Sequence, residues 1–130
     1  MRTENFVGTG RAGAAEPSFD LPPTEHVTDV AIDLADALAR CVSMGVEQPL
    51  VRATLTWSQR ARLQGVFDPV PTSALISVYA EASGATLGFY LIAFEQTDEI
   101  SHAEYPTLAS AVAAAEDGYG VPRDAWAAAI

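Results

Sequence analysis

Residues 75–95 have the sequence LISVYAEASGATLGFYLIAFE, two segments of high β-propensity separated by a short glycine-containing stretch. The second segment, Thr86 to Glu95, is apolar on both of its alternating faces, which predicts a central strand covered on both sides. Ser83-Gly84-Ala85 offers the loop that a hairpin needs. We therefore expect Leu75 to Ala82 and Thr86 to Glu95 to be antiparallel neighbours.

The segment before this hairpin predicts one helix and one strand. Apolar residues recur from Thr24 at the spacing of a helical stripe, with Thr24 as a possible N-cap and Gly45 as the stop. The stripe consists of Val27, Val30, Ala31, Leu34, Leu38, Cys41 and Val42. From Val51 to Trp57 the period changes to two, which indicates a strand with one buried face. Ser58 to Gln64 fits a single helical turn, with a second strand as the alternative, and the prolines of the stretch 68–71 predict irregular backbone.

The segment after the hairpin predicts an acidic loop and a second helix. Glu95 to Tyr105 is polar, and Pro106-Thr107-Leu108 begins an alanine-rich helix that ends at Gly118 and Gly120. Trp126 can anchor a last helical turn. The fold prediction is thus an α+β domain over residues 24–130, in the order α-β-β-β-α plus a terminal helical turn, with a small antiparallel sheet of about three or four strands packed against two helices. Residues 1–23, rich in glycine and proline, are predicted to form a flexible N-terminal leader.

The charge is strongly asymmetric. The chain of 130 residues has a net charge of −10, and its seven basic residues are all arginines, none of them between Leu63 and Pro122. Direct binding to a nucleic-acid backbone requires clustered Lys or Arg and is therefore not expected. A partner with a basic surface is the electrostatic complement, while the simpler interpretation is that acidity keeps a small protein soluble.

No residue pattern predicts catalysis, a metal site or a cofactor. Cys41 is the only cysteine, and we expect it to be a small buried apolar residue. The nearest approach to a ligand cluster is Asp98, Glu99, His102 and Glu104, whose spacing is not that of a calcium loop, so we expect a solvated acidic loop there. No serine has a nucleophile-elbow context, and no apolar run has the length of a membrane span, so we expect a cytoplasmic protein that is not an enzyme.

The stretch from Gly88 to Trp126 resembles the C-terminal half of small bacterial α+β proteins, several of which are immunity proteins that bind and block a toxin. The resemblance lies in the apolar strand up to Glu95, the motif Tyr105-Pro106-Thr107-Leu108, the alanine-rich helix and Trp126, about 40 of the 130 residues. It implies a fold and identifies no contact residue. In size and acidity the chain is also similar to phage-encoded inhibitors of bacterial defence nucleases, such as anti-CRISPR proteins, which present carboxylates in place of phosphates.

The leading hypothesis is an inhibitor that docks on a basic protein, with a toxin as the first partner class and a defence nuclease as the alternative. Two acidic clusters are predicted to bind the partner: Glu25, Asp29, Asp33 and Asp36 on the face of the first helix, and Glu95, Asp98, Glu99 and Glu104 in the loop. The alternatives from other classes are a self-associating structural protein that forms a homodimer, and a small-molecule-binding or enzymatic domain.

Overall fold

The structure is a computed structural model that describes residues 24–81 and 87–129. Its elements are, in order, strands β1 (Thr24–Val27) and β2 (Val30–Asp33), helix α1 (Leu34–Met44), strand β3 (Gln48–Thr54), helix α2 (Trp57–Leu63), strands β4 (Ser73–Ala80), β5 (Leu87–Glu95) and β6 (Asp98–Tyr105), helix α3 (Leu108–Tyr119), a 3₁₀ helix (Arg123–Ala125) and strand β7 (Ala127–Ala128). The predicted leader and the predicted turn at residues 83–85 lie outside the described residues. The α+β class with antiparallel strands is confirmed. The predicted three or four strands and two helices differ from the structure, whose described residues form a five-stranded sheet, a two-stranded sheet and three α-helices, and the element order differs in detail.

The described strands form a five-stranded antiparallel sheet and a separate two-stranded hairpin. The order of the large sheet is β6-β5-β4-β3-β7, and β1 pairs with β2. The predicted pairing of β4 with β5 is confirmed, with Ile76 opposite Leu91. Strand β5 lies inside the sheet between β4 and β6, in agreement with its apolar character on both faces.

The helix predicted to begin at Thr24 begins ten residues later, because residues 24–33 form the β1-β2 hairpin. A two-residue turn at Thr28-Asp29 makes Val27 and Val30 direct partners, so two apolar residues three apart share one face. The hairpin thus reproduces the i, i+3 spacing of a helix. β-Branched residues such as Val27 and Ile32, both buried, favour the strand. The helical stripe that we predicted for residues 24–33 was wrong.

The acidic loop predicted for Glu95 to Tyr105 is also wrong, because residues 98–105 form the edge strand β6. Its mostly half-exposed residues give only a weak alternation of apolar and polar side chains, and an edge strand tolerates charges that an interior strand does not. Strand β7 has only two residues and no sequence signal; it pairs with β3 through Val51 and Arg52.

The remaining elements follow local signals. Helix α2 confirms the helical interpretation of residues 58–64. The strand predicted to reach Trp57 ends at Thr54 instead, because Thr56 caps the helix in a capping box with Gln59 and Trp57 is its first residue. Helix α3 begins with a capping box between Thr107 and Ser110, and ends at Gly120 in the left-handed conformation, φ 70°. Gly118, predicted to help end this helix, lies within it. Trp126 is buried, as expected.

The core lies between one face of the sheet and the helices. Helices α1 and α3 pack on this face, where the side chains of Val51, Ile76, Phe89 and Leu91 are almost fully buried. Cys41 belongs to the same cluster; its Sγ donates to the carbonyl oxygen of Val78 at 3.2 Å, and burial raises its pKa. Cys41 is therefore a small buried core residue, as predicted.

Candidate functional site

The second face of the sheet has a different composition, and we call it the polar face. Its side chains are those that strand pairing places opposite to the core, namely Arg52, Thr54, Ser73, Leu75, Ser77, Tyr79, Tyr90, Ile92, Phe94, Glu99, His102 and Glu104. None of its apolar residues belongs to the core cluster. Packing against α1 and α3 therefore does not explain the composition of the polar face.

Two carboxylates contact His102, which lies on the edge strand β6 of the polar face. The Nε2 atom of His102 lies 3.2 Å from a carboxylate oxygen of Glu47, and its Nδ1 atom lies 3.2 Å from one of Glu99. Each of the three side chains is between a third and a half exposed. Only the doubly protonated imidazole can donate to both carboxylates at once.

Glu47 also fixes a buried hydroxyl. The Oγ atom of Ser77, on a residue only 2% exposed, donates to Oε1 of Glu47 at 2.5 Å. Such a short bond to a carboxylate is charge-assisted. One carboxylate thus connects β4 with β6 across the intervening strand β5, although Glu47 itself precedes β3.

Tyr90 lies beside this network and near a third carboxylate. Its ring contacts that of His102 edge to face, with centroids 5.1 Å apart at 88°. Burial raises the pKa of the Tyr90 hydroxyl, and the negative charges of Glu104 and Glu47 raise it further. The tyrosine therefore stays neutral and can donate a hydrogen bond.

Glycine at position 88 makes room for Glu104. A Cβ atom on Gly88 would lie 2.6 Å from Oε2 of Glu104 and 3.2 Å from the hydroxyl oxygen of Tyr90. Any larger residue would push that carboxylate away from the strand. The glycine therefore leaves the space that the Glu104 carboxylate occupies beside Tyr90, its partner across the strands.

The structure brings together only part of the predicted partner-binding set. Of the second cluster, Glu99 and Glu104 lie on the polar face, and Glu95 pairs with Asp98 at the adjacent β5-β6 turn. Sequence reasoning missed Glu47, whose isolated position before a strand carries no signal. His102 was considered only as a metal ligand.

The first cluster does not share a helix face, contrary to the prediction. The structure places Glu25 on β1, Asp29 in the hairpin turn, Asp33 at the N-cap of α1 and Asp36 in its first turn. Two of these carboxylates already have structural partners. Asp33 accepts from the backbone N–H of Asp36 at 2.9 Å, and Asp36 pairs with Arg40 at 2.9 Å.

Two further findings concern residues 24–81 and 87–129. In this part of the chain, no group of three or more His, Cys, Asp or Glu side chains is arranged to hold a metal ion. No helix in the same part has the length and apolarity that crossing a membrane requires.

Comparison with known proteins adds no relative. The chain matches no family model, and no curated protein or solved structure is significantly similar to it.

Proposed function

We propose that this chain is an acidic protein-binding inhibitor of the immunity type, which acts without catalysis by covering a basic site on a toxin. The observation that carries the proposal is the convergence of Glu47, Glu99 and Glu104 on one sheet face. Among the described residues, His102 is the only basic side chain within salt-bridge distance of Glu47 or Glu99. The three carboxylates outnumber Arg52, the arginine on this face, so a cationic partner supplies the electrostatic complement.

The polar face combines this charge with aromatic contact area. Tyr79 and Tyr90 are partly exposed and lie close enough for Tyr79 to affect the pKa of Tyr90. Tyrosine gives a large rigid contact surface and a hydrogen-bonding end, and such residues dominate the energy of many interfaces. An arginine of the partner would stack on a tyrosine ring while it pairs with a neighbouring carboxylate.

The charge is also held in place before binding. Ser77 and His102 hold the carboxylates of Glu47 and Glu99, so these two side chains have little freedom left to lose on association. We expect a fast association rate that falls as ionic strength rises, because the carboxylates steer the encounter. The same field repels nucleic acid, so no direct contact with it is proposed.

The first experiment tests the surface with a defined probe. A peptide of alternating arginine and glycine is titrated into the ¹⁵N-labelled full chain, and amide shifts are expected to concentrate on β4, β5 and β6. The triple variant Glu47→Gln, Glu99→Gln, Glu104→Gln is expected to weaken binding by about tenfold or more, because it removes three charges with little change of shape.

A matched control separates the surface from bulk charge. The variant Asp29→Asn, Asp117→Asn, Asp124→Asn removes the same charge from exposed positions outside the polar face. It should retain most of the binding. Equal losses in the two triple variants would mean that net charge alone attracts the peptide, and the proposed surface would be wrong.

The second experiment tests inhibition. Proteins encoded by adjacent genes are expressed with and without this chain, and growth is measured. We expect growth arrest by one of them to be relieved by the wild-type chain and not by the triple glutamine variant. Relief of a nuclease-based defence instead would favour the phage-inhibitor alternative, and equal relief by both forms of the chain would contradict the proposed surface.

A further inference from the structure

A groove beside helix α2 is the second unusual surface of the molecule. Trp57, the first residue of α2, is 82% exposed, and Val66 in the following loop is 69% exposed. The groove next to Trp57 is lined by Arg60, Asp68, Val70 and Glu95 among others. Tryptophan is one of the residues that most often dominate the energy of protein interfaces, and here it is exposed beside a groove.

Arg60 in this groove has an unused donor. Its Nε atom is buried and has no hydrogen-bond partner. Within the described residues no carboxylate lies within salt-bridge distance of Arg60, whereas Arg40 and Arg123 each have one. Nε itself is closed to solvent, but Arg60 as a whole is only half-buried, so a carboxylate of a second molecule would pair with the guanidinium end of the side chain.

Charge balance indicates which molecule fits. With a net charge of −10, two copies of this chain repel each other over most of their surfaces. The groove is different, because it presents both a cation, Arg60, and the carboxylates of Asp68 and Glu95 beside apolar side chains. A surface with both signs is complementary to itself when it is related by a two-fold axis.

We propose that the groove binds a second copy of the chain in a symmetric dimer. Trp57 of each copy packs into the groove of the other, and Arg60 of each copy pairs with Glu95 of the other. The polar face is not part of this contact, so the dimer can be tested independently of the proposed inhibitor function.

The test begins with sedimentation of the full chain from low micromolar to millimolar concentration. We expect a reversible monomer–dimer equilibrium. Trp57→Ala should weaken dimerisation by about tenfold or more, since large aromatic residues dominate such contacts. This variant removes an exposed side chain and should leave the melting temperature nearly unchanged, which keeps the proposal testable even if a charge variant folds poorly. Met44→Ala, at an apolar position 62% exposed elsewhere, is the matched control and should dimerise as the wild type does.

Two charge variants then test the geometry. Arg60→Glu and Glu95→Arg should each be monomeric, because each places like charges opposite one another across the two-fold axis. Their equimolar mixture should dimerise, because every glutamate then faces an arginine. A wild-type chain that stays monomeric at millimolar concentration, a Trp57→Ala variant that dimerises normally, or a mixture that stays monomeric would each overturn the proposal.

Discussion

Phe89 and Tyr90 are neighbours in the chain and lie on opposite faces of the sheet, and the two faces differ in what their residues contact. Phe89 is 1% exposed and packs among residues of the core cluster. Tyr90 contacts His102 and lies near two carboxylates. Because strand side chains alternate, one strand contributes at the same time to the stability of the fold and to a surface suited to recognition.

The acidic residues of this protein likewise differ in the contacts that they make. Asp33 caps α1 and Asp36 pairs with Arg40, whereas Glu47 and Glu99 both contact His102 on a sheet face. Glu104 lies two residues beyond His102 on the same strand. Charges on the edge strand β6 also discourage pairing with the edge of another sheet. The polar face can therefore serve solubility and recognition together.

The largest expected loss of stability comes from a substitution on the core face of the sheet. Phe89→Ala should lower the free energy of unfolding by about 3–5 kcal/mol, because it leaves a cavity in a packed interior. Tyr90→Phe on the polar face should change it by less than about 0.5 kcal/mol at neutral pH. Urea unfolding followed by circular dichroism measures both. If Phe89→Ala is too unstable to purify, Ile76→Val should still lower the free energy of unfolding by about 1 kcal/mol. Similar losses of stability for Phe89→Ala and Tyr90→Phe would contradict the difference between the two faces.

The next largest effect on stability concerns the hydroxyl of Ser77, a buried residue of the polar face. Glu47→Ala should cost about 1–2 kcal/mol of stability, because it leaves Oγ of Ser77 without its acceptor. Adding Ser77→Ala to that variant should recover part of the loss, since no orphan hydroxyl remains. Glu99→Ala is the control, as its pair with His102 is half exposed and should contribute less than about 0.5 kcal/mol. Additive losses in the double variant would show that the Ser77–Glu47 bond does not stabilise the fold.

A smaller effect is expected where the polar face is most crowded. Gly88→Ala should cost about 1 kcal/mol, because the new Cβ displaces the Glu104 carboxylate, which is the flexible end of its side chain. In a Glu104→Ala background the same substitution should cost almost nothing. Unfolding curves of the four proteins form a double-mutant cycle, and a coupling energy near zero would contradict the close approach of Gly88 and Glu104.

The smallest effect is confined to alkaline solution. Since the pKa of Tyr90 is raised in the folded protein above its ordinary value of 10.0, the unfolded chain loses this proton first as the pH rises. The stabilising contribution is fully present below pH 10 and is lost as the pH rises through the raised pKa. Tyr90→Phe should therefore show a shallower loss of stability above that pH in thermal unfolding experiments. An identical alkaline slope in wild type and variant would disprove the effect.

Local patterns predicted the elements whose signals were unambiguous. Val51 and Ala53 alternate with polar residues as in a strand, Thr107 and Gly120 mark the ends of α3, and the antiparallel pairing of β4 with β5 followed from two β-prone segments in succession. The hairpin at residues 24–33 was missed because a two-residue turn gives the same i, i+3 apolar spacing as a helix. Strand β6 was missed because an edge strand needs little alternation.

The sequence by itself determined the α+β class, the acidity and the residues of the core face, because apolar periodicity and charge are properties of neighbouring residues along the chain. Only the tertiary structure decided that Glu47 meets Ser77 and His102, which lie 30 and 55 positions further on, and that Arg60 and Glu95 line one groove. Those contacts depend on strand order and register, which pairing across the whole sheet sets and no local pattern encodes.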